Sequence, residues 1–478
     1  MRTTGNTPVD GEVRAVASGA LANGNTVIVN ADGTVSVVGI GAESLGSIVT
    51  FEAASTDNYG ATYDPDTGKV ILTYRDNGNS FYGTAIVGTV SGTSISFGSA
   101  VVFESAHINF TAPVYDTNLD KVVIAYNDEG NSRYGTAIVG TVSGTTISFG
   151  TAVVFESARS DYISAAYDEN AQKVLVSYRD VGDSNNNKSI VGTVSGTGIS
   201  FGSPVTFRTG SAYYLSSAYD ANANKIVISY SNSSFLGRAV VATISGTNVS
   251  FGSEATFSSA STPAQRIVYD SANNTVVIAY MDGGDGDKGK AVIGTVSGTS
   301  VSFNSPTVFY DTAGMTAIAA SYDSNAGAIV ISFRGASAYG LVLVGTTTAS
   351  SITFGSPLTI TTNAYGIGSH ESVYDSTSKK VVLMYKDQDD GNKGKSVVYS
   401  SAPTNLTSEN YIGIAKGAAA DGTSAVVQTG CSINDAQSGL TAGQDYYVQT
   451  DGTLGETPDN PSVLAGTAVS ATKLIVKG

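Results

Sequence analysis

The stretch VYDTNLDKVVIAYNDEGNSRYGTAIVGTVSGTTISFGTAVVF, from Val114 to Phe155, decides the fold. It is one copy of a unit that recurs seven times. The Tyr-Asp pair near its start falls at Tyr63-Asp64, Tyr115-Asp116, Tyr167-Asp168, Tyr219-Asp220, Tyr269-Asp270, Tyr322-Asp323 and Tyr374-Asp375. The steps are 52, 52, 52, 50, 53 and 52 residues, and a fixed period of this length marks a repeat architecture.

Within the unit the apolar residues form short β-branched runs. Val122 to Tyr126 is one, Ala137 to Val142 another, and Ile147-Ser148-Phe149 and Val153-Val154-Phe155 follow. DTNLDK, NDEGNS and SGTT separate them with turn chemistry. Together with the segment before Tyr115 they predict four antiparallel strands joined as a meander. At a period of roughly 40–50 residues that describes a propeller blade. A solenoid, which must cap two ends, is the competing architecture.

Phe97, Phe149, Phe201, Phe251, Phe303 and Phe354 carry a Phe-Gly-Ser signature or a near variant in the fourth strand of six copies. The seventh copy has Lys380 to Tyr385 and Lys395 to Tyr399 but no such phrase. Ser44 to Phe51 matches Ser96 to Phe103 in register, so the early segment is expected to complete the last sheet. Closure of this kind removes an exposed sheet edge. The fold class predicted is all-β: a seven-bladed propeller over 41–402, with 1–40 and 403–478 building one small β module around it. Two Asp-Gly hairpins, Gly24 to Val38 and Tyr446 to Leu454, mark that module, and Lys473 to Val476 is its closing strand. Alternatively, Val27 to Val38 joins the seventh blade.

The composition fits: 55 Gly, no Trp, 14% charged and 41% hydrophobic residues. The net charge of −15 argues against nucleic acid or an anionic membrane as partner. Cys431 is the one cysteine, which excludes an internal disulfide and suggests a small buried apolar residue. Met1-Arg2-Thr3-Thr4-Gly5 opens no apolar run, so no signal peptide is expected, and no stretch is long and apolar enough for membrane insertion.

At the flanks, Ser438 to Leu454 and the tail Val469 to Gly478 resemble a C-terminal module of virion proteins of marine tailed phages, and LANGNTVIVNADGTVSVV resembles what precedes it there. The resemblance covers about a quarter of the chain. It implies a phage structural component, often a tail fibre, made in the host cytoplasm and carried on the virion. Other virion proteins would be its partners, and homo-oligomers occur among fibres. It carries no catalytic residues.

Compared with one another, the repeats vary most between the fourth strand of one and the first strand of the next. In a meander these connections emerge on the same face as the turns between second and third strands, so variation would gather on one side as a binding face. The candidate ligand-binding residues there are Tyr59, His107, Phe110, Tyr162, Tyr213, Tyr214, Tyr365 and His370. Aromatic rings offer flat apolar faces to sugar rings. The alternative is packing between blades. No metal or cofactor is indicated by the two histidines. The Asp-x-Gly turns at Asp76, Asp128 and Asp180 loosely resemble the Asp-box of sialidase propellers without its Trp, and are read as turn caps. Arg75, Arg159, Arg179 and Arg208 sit in different repeats with no arrangement for one carboxylate. The acidic loops Asp282 to Asp287 and Asp387 to Asp390 are read as solvated, with calcium binding as the alternative. The expectation is a non-enzymatic virion surface protein for host attachment, with glycan as possible ligand. The alternatives are a purely structural decoration protein and a glycan-processing enzyme on the same scaffold.

Overall fold

Each period of the sequence folds as one antiparallel sheet. In the copy quoted above, Val101–Asp116, Lys121–Asp128, Tyr134–Ser143 and Thr146–Phe149 pair in that order. The middle strands are apolar on both faces because sheets of neighbouring repeats cover both: Val122, Val123, Ile124, Ala125 and Tyr126 are all fully buried. The computed structural model describes residues 11–39, 43–401, 405–459 and 461–477, and the chain divides into two units, 44–401 and 1–43 with 402–478. Among the described residues, all regular structure is strand apart from two short 3-10 turns at Glu129–Asn131 and Gly283–Asp285.

Three corrections to the sequence reading concern this architecture. First, the variable connections between fourth and first strands are not loops in the early repeats. Val49–Asp64, Val101–Asp116 and Val153–Asp168 each run unbroken from the outer edge of one sheet to the inner strand of the next. Elsewhere the same path is broken, as at Val205–Arg208 and Ala212–Asp220. Second, the outer strand is made in two pieces. Thr146–Phe149 pairs with one half of Tyr134–Ser143, and the start of Val153–Asp168 pairs with the other half.

The Phe-Gly-Ser phrase sits at that break. The Gly150 N–H still donates to the Val139 carbonyl at 2.9 Å, while a Cβ on Gly150 would overlap the Thr197 carbonyl oxygen of the next repeat. Gly46, Gly98, Gly202 and Gly252 meet Thr93, Thr145, Thr247 and Thr299 in the same way. The glycine therefore seats the next sheet's turn, and its Phe packs on the preceding repeat, as Phe149 does on Phe103 at 5.8 Å. Where Asn304 replaces the glycine, its amide donates to Ser350 O at 3.0 Å. The third correction is Cys431: it is exposed, on a turn with φ 69°. The backbone there reverses between strands, which leaves its side chain no interior to enter.

The early segment does complete the last sheet. Leu45 pairs with Tyr399, Ser44 with Ser400, and Val49 and Thr50 with Ser396 and Lys395. The Tyr-Asp pairs explain how sheets are tied. Each Asp is buried and accepts from backbone N–H groups of its own turn, as Asp116 does from Asn118 and Leu119. The Tyr hydroxyl reaches the turn of the preceding repeat, accepting from Asn170 N at Tyr219, Asn222 N at Tyr269, Ala272 N at Tyr322 and Asn325 N at Tyr374. Tyr63, in the first repeat, makes this bond to Thr377 in the last, donating to its hydroxyl at 2.6 Å and accepting from its N–H at 3.1 Å. The inner strands neighbour one another in cyclic order, with Tyr365–Asp375 returning beside Val49–Asp64.

The described residues of the other unit form two five-stranded sheets. In one, Glu12–Val16, Ser424–Gln428, Tyr411–Ala415, Thr26–Val29 and Val35–Val37 lie side by side, so strands from both chain ends interleave. In the other, Ile433–Asn434, Lys473–Val476, Leu464–Ser470, Asp445–Val448 and Leu454–Gly455 do so. Both Asp-Gly hairpins form here, and the one from 26 to 37 joins no sheet of the repeats. Ile28, Val38 and Ile414 share a core with Tyr446, Val448 and Leu474.

Candidate binding site

The inner strands of the 44–401 unit enclose a cavity of about 530 Å³. Its wall takes the same few positions from every repeat, from Asn58–Ala61 in the first to His370–Ser372 in the last. These positions flank a bulge that recurs in the inner strands. Asn58, Phe110, Tyr162, Tyr214 and Ala317 hold φ of 52°, 53°, 52°, 56° and 53°, and the pairing register jumps at each. A bulky residue in the left-handed region is unusual and costs on the order of 1–3 kcal/mol. Bulges re-aim side chains, and here they bring the aromatic ones to the cavity wall.

The result is an arc of rings. Phe110 and Tyr162 lie 5.1 Å apart between centroids, and Tyr162 and Tyr214 lie 5.5 Å apart at 66°. Tyr59 stands apart from the arc: its ring is buried against Phe51, its hydroxyl is bonded to Thr56 Oγ1, and desolvation pushes its acidity far down. Tyr162 is also shifted up by burial.

Of the eight residues named from the sequence, Tyr59, Phe110, Tyr162, Tyr214 and His370 line this cavity. Tyr213 stands behind them, stacked on Phe235 at 5.1 Å with 14° between planes. His107 belongs to a separate cluster: its Nδ1 is 2.9 Å from Glu129 and its Nε2 3.0 Å from Arg75. Tyr365 begins an inner strand, and its side chain lies outside the described residues. The two histidines thus occupy different surroundings. His370 is buried, and desolvation pulls it down to about 3, so it is neutral at ordinary pH.

The arginines are better ordered than their sequence positions suggested. Arg75 and Arg179 occupy equivalent strand ends and pair with equivalent carboxylates, Asp57 at 3.0 Å and Asp161 at 2.7 Å. Arg159 converges on Asp161 too, at 3.0 Å. Arg179 also lies 4.8 Å over the Tyr162 ring, which buttresses the arc from behind.

Two charged cavity residues escaped the sequence reading: Arg266 and Glu371, 3.5 Å apart. Both stand three residues before the repeat's Tyr. The other repeats carry Gly60, Ala112, Ser164, Ser216 and Ala319 at that position, so aligning the repeats would have exposed the two charges. Burial raises the Glu371 carboxyl and the Arg266 charge opposes that shift.

The turns between second and third strands are built as the sequence suggested. Asp76 accepts from Gly78 and Asn79, and Asp387 from Asp389 and Asp390. In the acidic loops lysines neutralise the carboxylates. Lys290 is 2.7 Å from Asp282 and 2.9 Å from Asp285, and Lys393 and Lys395 hold Asp390 at 2.8 and 2.6 Å. Among the described residues no group of three or more His, Cys, Asp or Glu is placed to hold a metal ion. Among the described residues no helix is long and apolar enough to cross a membrane.

No protein-family model and no curated protein matches the chain. Solved structures do. The BP39L lectin from Burkholderia pseudomallei is similar over 74% of this chain and 99% of its own, at 13% identity and a TM-score of 0.55. AofleA from Arthrobotrys oligospora matches over 70% and 94%, at 10% identity and a TM-score of 0.43. At 13% identity the likeness to BP39L concerns the fold alone.

Proposed function

We propose that residues 44–401 form a seven-bladed β-propeller that binds carbohydrate without transforming it. The observation that carries this reading is the arc of Phe110, Tyr162 and Tyr214 on the cavity wall. Strain repeated at the Phe110, Tyr162 and Tyr214 bulges lowers stability, and such strain persists where it serves a site. Rings tilted against one another leave apolar surface for the C–H face of a sugar, while Arg266, Glu371 and Asn58 supply donors and acceptors elsewhere on the cavity wall. The shared fold with a protein named a lectin supports the same reading. The ionisable groups at the cavity also suit binding over catalysis: a neutral buried His370, and a carboxylate that already has a cation beside it.

A glycan array probed with the full chain tests the proposal, followed by calorimetry with the best array glycan. Tyr162→Ala and Phe110→Ala are each expected to weaken binding about tenfold or more, a stacking contribution of about 1.4 kcal/mol. A blank array together with no binding to bacterial cells overturns it. Release of reducing sugar from a bound glycan overturns the non-catalytic part. We further propose that the protein is displayed on a phage particle, on the strength of the flank phrases alone. Mass spectrometry of purified particles checks that, and absence of the chain from them ends it.

A further inference from the structure

We infer that the cavity holds one uncharged, hydroxyl-rich chain end per protein chain, read by Arg266 and Glu371 opposite the aromatic arc. This rests on the carbohydrate reading above and deepens it.

The argument starts from where the ring breaks its own repetition. The scaffold positions recur almost unchanged: the buried Asp of each turn, the Tyr tie, the glycine seat. The cavity wall does not. Its aromatic members Phe110, Tyr162 and Tyr214 come from the second, third and fourth repeats. Its charges come from the fifth and seventh, with the strand Thr316–Asp323 between them. No other repeat places a charge at the position of Arg266 and Glu371. A ligand that uses both walls therefore has one place to sit, and the stoichiometry is one.

The charges specify the kind of ligand. Arg266 offers donors and Glu371 acceptors, and because each faces the other the pair presents both without net charge. Paired sugar hydroxyls, which donate and accept together, match that pattern. A uronate or sulfate must compete with Glu371 for Arg266 and meets a like charge beside it; an amino sugar meets Arg266 in the same way. The net charge of the whole chain, −15, adds to the disadvantage of a polyanion. A volume of about 530 Å³ lies within the roughly 300–1,000 Å³ common for small-ligand sites and suits a chain end instead of a continuous polymer.

The test is titration calorimetry of the full chain. The probes are the methyl glycosides of glucose, galactose, mannose and fucose, together with glucuronic acid, galacturonic acid and glucosamine. One neutral glycoside is expected to bind at one site per chain, at least tenfold tighter than its charged counterparts. Glu371→Gln and Arg266→Met should each weaken the neutral sugar about tenfold. Glu371→Gln should also raise uronate affinity relative to neutral sugar by tenfold or more, a shift in ratio that mere damage to the fold would not produce. Circular dichroism confirms that the variants fold. Several sites per chain, a uronate bound as tightly as its neutral partner, or an unchanged ratio in Glu371→Gln overturns the inference. If Tyr162→Ala abolishes binding while Glu371→Gln and Arg266→Met leave it untouched, the carbohydrate reading stands and this one falls. A positive array with every probe silent has the same consequence, and a blank array together with no binding to bacterial cells sinks both.

Discussion

Ring closure can be tested with two residues from opposite ends of the repeat-bearing unit. Gly394 lies on the third strand of the last sheet, opposite Glu52 of the early segment. A Cβ built on it would come within 2.5 Å of two ring atoms of Phe51. Phe51 is 8% exposed and contacts Tyr74 and Phe97 at 5.3 and 5.8 Å between centroids, so it has no free direction in which to yield. Gly394→Ala should then cost about 1–3 kcal/mol as overpacking. Phe51→Ala should cost about 3–5 kcal/mol through the lost transfer energy and the cavity left behind. With Phe51 gone the clash is gone, so the double variant should cost no more than Phe51→Ala alone. That is a coupling of about 1–3 kcal/mol between residues that only the closed ring brings together. Urea unfolding followed by tyrosine fluorescence and by circular dichroism gives the four stabilities. Gly135→Ala with Phe155→Ala, the equivalent contact inside the ring, serves as the internal control. If the control pair couples and the Gly394–Phe51 pair is additive within about 0.5 kcal/mol, the early strand does not complete the last sheet.

Three further outcomes are expected. Gly150→Ala should lower the thermal midpoint by several degrees because the overlap is with backbone, whereas Gly198→Ala, with its nearest neighbour at 3.7 Å, should be neutral; equal effects would refute the seating role of the Phe-Gly-Ser glycine. His370, held near 3 in the fold against 6.5 in the unfolded chain, contributes stability that is complete above pH 6.5 and is lost as pH falls toward 3. Between pH 7 and 4 that loss is about 3 kcal/mol, so denaturant midpoints of His370→Gln should fall less steeply with acid than those of the parent; parallel slopes would refute the burial argument. Glu371, shifted up, acts in the opposite sense, its contribution declining as pH rises through its raised value, and so cannot imitate this. Millimolar calcium should leave the thermal midpoint unchanged because lysines already hold Asp282, Asp285 and Asp390; a rise of several degrees, reversed by chelation, would refute that.

The period, the β-branched middle strands and the Asp-capped turns were all legible in the chain because each is written within a few adjacent residues. Closure was legible too, since Ser44 to Phe51 repeats Ser96 to Phe103 and the last copy lacks that phrase. The aromatic wall was half legible: Phe110, Tyr162 and Tyr214 were identifiable, but as loop residues, because nothing in their type reveals a left-handed bulge inside a strand. Only the tertiary structure separated His370, in the cavity wall, from His107, bound to Glu129 and Arg75. Only it brought Arg266 to Glu371 over a gap of 105 residues and set the glycine of one repeat against the threonine carbonyl of the next. Strand, turn and repeat follow from backbone and side-chain preferences that act between near neighbours. Which side chains meet across the centre depends on how whole sheets are rotated about one another, and that is settled by packing between repeats.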